Sequence, residues 1–588
     1  MTAAAQIHGS TLTDGDLVAF ADSDEAQRLP LGKLISGQLG KHKLLICAVV
    51  RFGPAAVPAA GASLRQHYSV LAAVERTEPE AAAAILGQPH VGAWAARCLR
   101  QLSNEPGLEE PDLGHLGAIA VSAAILADYP CRVTLRVRNG TVMLPRLGQA
   151  RVRGDCATVT VGEEGHAVIE SDGQTISLTD PHADGPGWQA LRVLTLGDRR
   201  LLLDDLDPNR SYDPYPLPGR LTQPDVARWQ DGLDEAWRLL STQHPGYAAA
   251  LHLGLKSLVP ISQRTDDRNV SATSGDAFGA VAASTPSDGV ALAVALIHEF
   301  QHTKLCAIGD IEPLVERGDG PLFYAPWRPD PRPAGALLHG IFAHMAVADF
   351  WRVHRSVAAP RDQLLANVEF ARWLRQTRHA AGLLAENEAL TRAGRRLLAR
   401  VTTHLTGWLA EQVPPTALRL AEDASADHLS GWRLRNLGPD PDDIERLARD
   451  WVCGRSACGT VRTRLLDQAR TTGGSARMEL LYARLRDPAR FEADYAGSRD
   501  MPDLAWARGD HALAARGYLA ELSADPARLA AWTGLGLTAG LRNVLSRTPE
   551  VAYALQHRLA ELSRPPADPL RLAGWLSGVS VRDLDVQV

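Results

Sequence analysis

The chain has 588 residues, 45% of them hydrophobic and 22% charged, with a formal net charge of -6. Such a chain is an ordinary globular protein of roughly three or four domains at about 150 residues each, with core enough to bury a metal site. No dense Lys/Arg run stands out, so neither a nucleic-acid surface nor an anionic membrane surface is indicated.

The opening stretch, MTAAAQIHGSTLTDGD, lacks a basic start followed by an apolar core, and no signal peptide is expected. Seven scattered cysteines fit reduced thiols in a cytoplasmic protein. Residues 1–115 read as a helical region: QHYSVLAAVERTEPEAAAAILGQPHVGAWAARCLRQL has apolar positions three and four apart. LGAIAVSAAILADY, from Leu116, is the most apolar window and is too short to span a bilayer.

Residues 116–220 read as a small antiparallel β unit. CRVTLRVRNGTVMLPRLG alternates around Asn139-Gly140, a hairpin signal, and WQALRVLTLGDRRLLLDDLDP adds a second hairpin at Gly197-Asp198. PYPLPGRLTQPD is a proline-rich joint. Residues 221–410 form the expected metal-binding domain, and 411–588 a C-terminal helical domain. Within the latter, DLAWARGDHALAARGYLAELSADPARLAAWTGLGLTA resembles one tetratricopeptide-type hairpin, too little for an array. Cys453 and Cys458 have no second cysteine pair beside them, so thiols are favoured there over a zinc knuckle. The fold class expected is α+β, predominantly helical, with a zincin-like core.

The chemistry lies in VALAVALIHEFQHTKLCAI, read as one buried helix. His298 and His302 are four apart, so both imidazoles leave the same face one turn apart, within reach of one ion. Glu299 stands beside them, where zinc peptidases carry the general base that acts on bound water. The alternative is a helix with two hydrogen-bonded core histidines. The apolar surroundings argue against it, because burying three polar side chains without partners costs several kcal/mol. DAFGAVAASTPSDGV places a short apolar strand and a proline turn before the helix, as zincin folds place an edge strand.

A third ligand is needed, and the downstream candidates are Glu312, His339, His344 and His354. ALLHGIFAHMAVADFWRVHR reads as a second apolar helix. His339 is preferred, since Gly340 beside it leaves room for close helix approach. His344, five residues on, faces substantially away. Between the helices, FYAPWRPDPRPAGALLHG is stiffened by prolines. Arg328 and Arg332 on it suit bidentate capture of a carboxylate; otherwise they pair with Asp330, Asp319 or Glu316.

SGDAFGAVAAS, LIHEFQHTKL, APWRPDPRP and LLHGIFAHMAVADFW, in that order, resemble the HExxH-motif peptide-modification family, over roughly residues 245–360. Members accompany ribosomally made peptides in bacterial gene clusters, some beside radical-SAM maturases, and are described as 2-oxoglutarate-dependent peptide β-hydroxylases. The resemblance implies Fe(II) held by His298, His302 and His339, with Arg328 and Arg332 as candidates for the 2-oxoglutarate carboxylate. Glu299 would then orient a ligand or water. Three protein ligands leave three positions on an octahedral ion, two for 2-oxoglutarate and one for dioxygen.

The sequence therefore supports Fe(II)/2-oxoglutarate-dependent β-hydroxylation of a ribosomally synthesised precursor peptide. The competing readings are a zinc metallopeptidase that removes a leader peptide, with Glu299 as base, and a non-catalytic peptide-binding scaffold. Expected partners are the precursor peptide and a radical-SAM maturase; neither nucleic acid nor membrane is expected.

Overall fold

The computed structural model describes residues 11–22, 28–103, 111–162, 166–262, 269–316, 318, 320–471, 475–498, 501–541, 543–562 and 567–588. The protein is α+β and predominantly helical, as its sequence predicts. It divides into two compact units, Met1–Pro313 and Leu314–Val588. The division falls inside the expected 221–410 domain. Among the described residues, no helix is long and apolar enough to cross a membrane.

The first unit opens with helices, among them Arg28–Ala56, Gly61–Thr77, Pro79–Leu86 and Pro89–Leu102. The apolar window at Leu116 is not part of a β unit. It forms the helix His115–Leu126, whose residues His115 to Ile125 are all buried. A helix that is apolar all round is stable only when enclosed, and this one sits in a core built with Leu71, Trp94, Val133 and Ile169.

Asn139-Gly140 does make the predicted tight turn, with φ of 49° and 70° and a bridge between Arg138 and Thr141. The strands on either side then part. Cys131–Arg136 pairs antiparallel with Cys156–Val161, the start of a four-stranded sheet that continues through Ala167–Ser171 to Gln174–Leu178. Thr141–Leu144 pairs instead with Gly148–Arg151 in a three-stranded sheet closed by Trp188–Ala190. The Gly197-Asp198 hairpin forms as expected, with Leu196 opposite Arg199.

That second hairpin belongs to a mixed five-stranded sheet. Its order is Ser271–Ala272, Ala280–Ala283, Ser257–Pro260, Arg199–Leu203, Arg192–Leu196. The three central strands run parallel. Ser257–Pro260 and Ala280–Ala283 are buried throughout, as parallel strands covered on both faces must be, while Arg199–Leu203 is buried only at Leu201 and Leu203. The sheet thus joins residues on both sides of the proline-rich joint, and the β segment and the segment after it share one layer.

The motif helix, Gly289–Ile311, follows this sheet directly. The strand before it, Ala280–Ala283, lies inside the sheet; the edge is the two-residue strand Ser271–Ala272. Asp288 caps the helix by accepting from the Ala291 N–H at 2.7 Å. Glu235, on the helix Gln223–Gln243, accepts from the Gly289 N–H at 2.9 Å. Phe300 is seated over Gly254, where a Cβ would come within 2.4 Å of the Phe300 ring. These contacts fix both the start of the helix and its rotation.

The second unit is helical, with two three-stranded sheets. In one, Thr460–Leu465 lies between Leu437–Pro439 and Ser580–Asp583. In the other, Leu322–Phe323 lies between Arg332–Pro333 and Val586–Gln587. The helix Ala334–His354 is the predicted second apolar helix. The C-terminal stretch compared with a tetratricopeptide hairpin forms the helices Pro502–Arg508, His511–Ala524 and Leu529–Thr538, with Asp525-Pro526 between the last two. Arg433 is buried and binds both Glu550 and Asp583, at 2.7 and 2.8 Å.

Replacing Asp288 by Ala removes one acceptor from the start of the motif helix and should lower stability by about 1 kcal/mol. A urea denaturation midpoint equal to that of the wild type would show that Glu235 alone suffices as the cap.

Candidate metal centre

His298 and His302 leave one face of the motif helix as their spacing requires. Their Nε2 atoms are 3.1 Å apart, and the rings meet edge to face with centroids 4.7 Å apart. Burial lowers the pKa of His298 below the usual imidazole range, against a smaller opposing pull from Glu299. The neutral imidazole is the form that ligates metals. Two lone pairs cannot face each other at this distance without a proton or a cation between them.

The separation matches one shared ion. Two nitrogens at about 2.1 Å from a metal are about 3.0 Å apart at a right angle and about 3.4 Å apart at the tetrahedral angle. The observed value lies nearer the right angle. Imidazole nitrogens suit iron as well as zinc, so the donor chemistry fits either ion.

Glu299 is 4% exposed and is held from the sheet edge. Ser271 Oγ donates to its Oε1 at 2.7 Å, and Thr273 Oγ1 donates to its Oε2. Its Oε1 stands 3.9 Å from His298 Nε2. Both carboxylate oxygens are thus anchored by hydroxyls, in an arrangement that fixes the side chain beside the histidines. The role of the two-residue edge strand was not legible in the sequence; Ser271 and Thr273 carry no motif of their own.

Of the third-ligand candidates, Glu312 is ruled out by its place. It is the C-cap of the same helix, ten residues past His302 and so about 15 Å further along the axis. The other three stand in the second unit on Ala334–His354. His344 is a packed core residue. Its ring stacks on Trp327 at 4.2 Å and lies against Trp373 at 4.5 Å. Its Nδ1 is 2.8 Å from the Gly340 carbonyl, which can only accept, so Nδ1 carries the proton. His354 stacks on Phe350 at 5.3 Å near the far end of the helix. His339 lies on the second turn of that helix and is half-buried; burial lowers its pKa, favouring the neutral form. Gly340 does make room, but for an indole: a Cβ there would meet Trp327 at 2.3 Å.

Arg328 and Arg332 both turn to Asp330. Arg328 Nε lies 3.2 Å and Arg332 Nη1 2.8 Å from its carboxylate. Burial works to raise the pKa of Asp330, yet the two guanidiniums hold it below the usual carboxylate range. Asparagine 436 steadies the same loop, donating from Nδ2 to the Pro329 carbonyl at 2.9 Å. Asp319, a further partner considered for these arginines, lies outside the described residues. Cys453 and Cys458 are exposed free thiols.

One group was missed by sequence reasoning. His90, Asp204 and Asp207 are buried in the first unit with ligand atoms within 4.8 Å of one another, close enough to hold a cation. His90 Nδ1 is 2.9 Å from Asp204 Oδ2. Asp204 Oδ1 accepts from the Asp207 N–H at 2.9 Å, and Arg210 donates to the Asp204 and Asp207 carbonyls at 3.1 and 2.7 Å. Burial alone would keep His90 neutral, but Asp204 outweighs it and raises its pKa. The group is therefore an ion pair steadied by Arg210, and a metal could enter only by displacing the proton of His90. His90 and Asp204 are 114 residues apart, and no spacing pattern links them.

No family model matches the chain, and no curated protein matches it.

Thr273→Val removes one of the two hydroxyls on buried Glu299. It should cost about 1–3 kcal/mol, the penalty for leaving a buried acceptor short of a partner. Thermal denaturation of the variant reads this, and an unchanged midpoint would mean that Thr273 does not hold the carboxylate.

Proposed function

We propose that the chain is a metal-dependent enzyme that hydroxylates a peptide, with His298 and His302 as metal ligands. The observation that carries this reading is the 3.1 Å separation of their Nε2 atoms on one buried helical face. A pair at this spacing suits one shared divalent ion, iron or zinc alike. With the resemblance to the HExxH-motif peptide-modification family, it supports Fe(II)/2-oxoglutarate-dependent β-hydroxylation of a ribosomally made precursor peptide.

When bound, Fe(II) with 2-oxoglutarate and dioxygen supplies the oxidation of an unactivated C–H bond, and the protein positions the target and limits side reactions. The residues of this chain do the rest. His298 and His302 present neutral imidazoles from a helix whose start is fixed by Asp288 and Glu235. Glu299, anchored through Ser271 and Thr273, holds a negative charge beside His298 and orients the ligand set. A carboxylate with both oxygens occupied by hydroxyls is a poor mobile base, and this supports oxygenation over peptide hydrolysis. The resemblance assigns His339 as the third ligand and gives Arg328 and Arg332 to the 2-oxoglutarate carboxylate. In this assignment Asp330 is the internal competitor for that carboxylate.

The zinc metallopeptidase is the second reading, favoured by the placement of Glu299 next to His298. Mass spectrometry of a candidate precursor peptide separates the two: a gain of one oxygen that requires both Fe(II) and 2-oxoglutarate supports hydroxylation, and two fragments support hydrolysis. Glu299→Gln should retain measurable hydroxylation, because the amide still accepts from one hydroxyl; a peptidase would lose nearly all turnover.

Asp330→Asn tests the arginines. If they grip 2-oxoglutarate, loss of the competing carboxylate should lower its KM severalfold, and Arg332→Ala should raise it at least tenfold. Equal KM values in the wild type and both variants would remove the loop from cosubstrate binding. His339→Ala should reduce metal affinity while leaving the peptide-binding affinity unchanged; full metal retention would transfer the third position to another side chain.

A further inference from the structure

The five-stranded sheet of the first unit ends differently at its two edges. At the edge Arg192–Leu196, a side chain caps the outward backbone of Thr195. The Thr195 N–H donates to Gln230 Oε1 at 2.8 Å, and Gln230 Nε2 donates to the Thr195 carbonyl at 3.0 Å. At the opposite edge, Ser271–Ala272, the Ser284 N–H donates to the Val270 carbonyl at 2.9 Å. Ser271 stands opposite Ala283 and Ala272 opposite Ala282. Antiparallel pairs alternate, so the Ala272 N–H and C=O turn inward to Ala282 and those of Ser271 turn outward. The hydroxyls of Ser271 and Thr273 both reach Glu299, so the alternation runs on through Thr273.

This second edge is open. Among the described residues, the outward N–H and C=O groups of Ser271 and Thr273 have no hydrogen-bond partner. Both residues are half-buried and within reach of solvent. Residues 269–275 carry neither a charge nor a proline, the devices by which proteins blunt an edge. A sheet that caps one edge and leaves the other unblunted has a use for the open one.

The open edge lies against the metal centre. Ser271 Oγ is 2.7 Å from Glu299 Oε1, which stands 3.9 Å from His298 Nε2. Further along, a Cβ on Gly275 would come within 3.4 Å of the Sγ of Cys306, four residues past His302. The segment therefore follows the motif helix past both candidate ligands.

We propose that the substrate peptide binds by adding a strand to residues 271–273. The identity of the substrate rests on the hydroxylase reading; that the occupant is an extended chain follows from the edge. An extended backbone offers N–H and C=O groups at the two-residue spacing of Ser271 and Thr273, whereas a helix uses its own internally. Every second side chain of the added strand points to the sheet face that carries Glu299 and His298. Cβ is the first atom off the backbone, so backbone pairing fixes its place whatever the rest of the side chain is. Hydroxylation at Cβ rather than further out is the selectivity this mode of binding gives.

Hydrogen–deuterium exchange mass spectrometry of the full chain tests this. The probe is an equimolar mixture of capped octapeptides, and the control is the same mixture N-methylated at every residue. Exchange across residues 270–276 should slow at least fivefold with the probe and stay unchanged with the control, because methylation removes the N–H groups that a strand needs. Thr273→Val and Thr273→Pro separate backbone from side chain. Both lose the hydroxyl on Glu299, but only proline loses the outward N–H. Affinity for the probe, read from the same protection, should be at least tenfold lower in Thr273→Pro than in Thr273→Val. No protection by the probe, equal protection by probe and control, or equal affinity in the two variants overturns the proposal. Exchange is read without iron or 2-oxoglutarate. A chain that binds peptide at this edge and adds no oxygen to it when both are supplied contradicts the hydroxylase reading and leaves strand addition standing.

Discussion

Two imidazole nitrogens held 3.1 Å apart on one buried helical face are the constraint around which the first unit is arranged. Such a pair is unfavourable unless the ring proton of one imidazole or a cation lies between the two nitrogens, and burial keeps His298 in the neutral form that ligates metals. The surroundings keep the pair in place and do not let it relax. The helix is capped at its start by Asp288 and Glu235. Its rotation is set by Phe300 against Gly254. Glu299 is tied to the sheet edge through two hydroxyls. Loosening any of these would allow the rings to part.

Charge balance distinguishes the protein's other polar clusters. Arg433 with Glu550 and Asp583, and Arg477 with Asp427 and Asp503, are buried cations matched by carboxylates. His90 with Asp204 is matched in the same way. Such networks satisfy themselves, and removal of one partner is more costly than the pair is stabilising. Arg328 and Arg332 share the single carboxylate of Asp330, which leaves one positive charge of the pair unmatched by it.

Much of this was legible in the sequence where the signal was local. The motif helix, the strand and proline turn ahead of it, the second apolar helix and the Gly197-Asp198 hairpin all follow from periodicity and turn chemistry. Other features depend on what comes from elsewhere in the chain. The Asn139-Gly140 turn is real, yet its strands join different sheets because each finds a better partner beyond the turn. The window at Leu116 reads as apolar without saying that it is a helix enclosed by a core. Gly340 signals a close approach, but not that Trp327 makes it, and His344 gives no sign of lying between two indoles. Ser271 and Thr273 show their purpose only once the sheet edge meets Glu299.

Metal analysis of anaerobically purified protein tests the central claim most directly. The account predicts about one iron per chain in the wild type and loss of that stoichiometry when His298 and His302 are both replaced by Ala. A wild-type protein with no stoichiometric transition metal after iron loading, or a double variant that keeps its full complement, would contradict it.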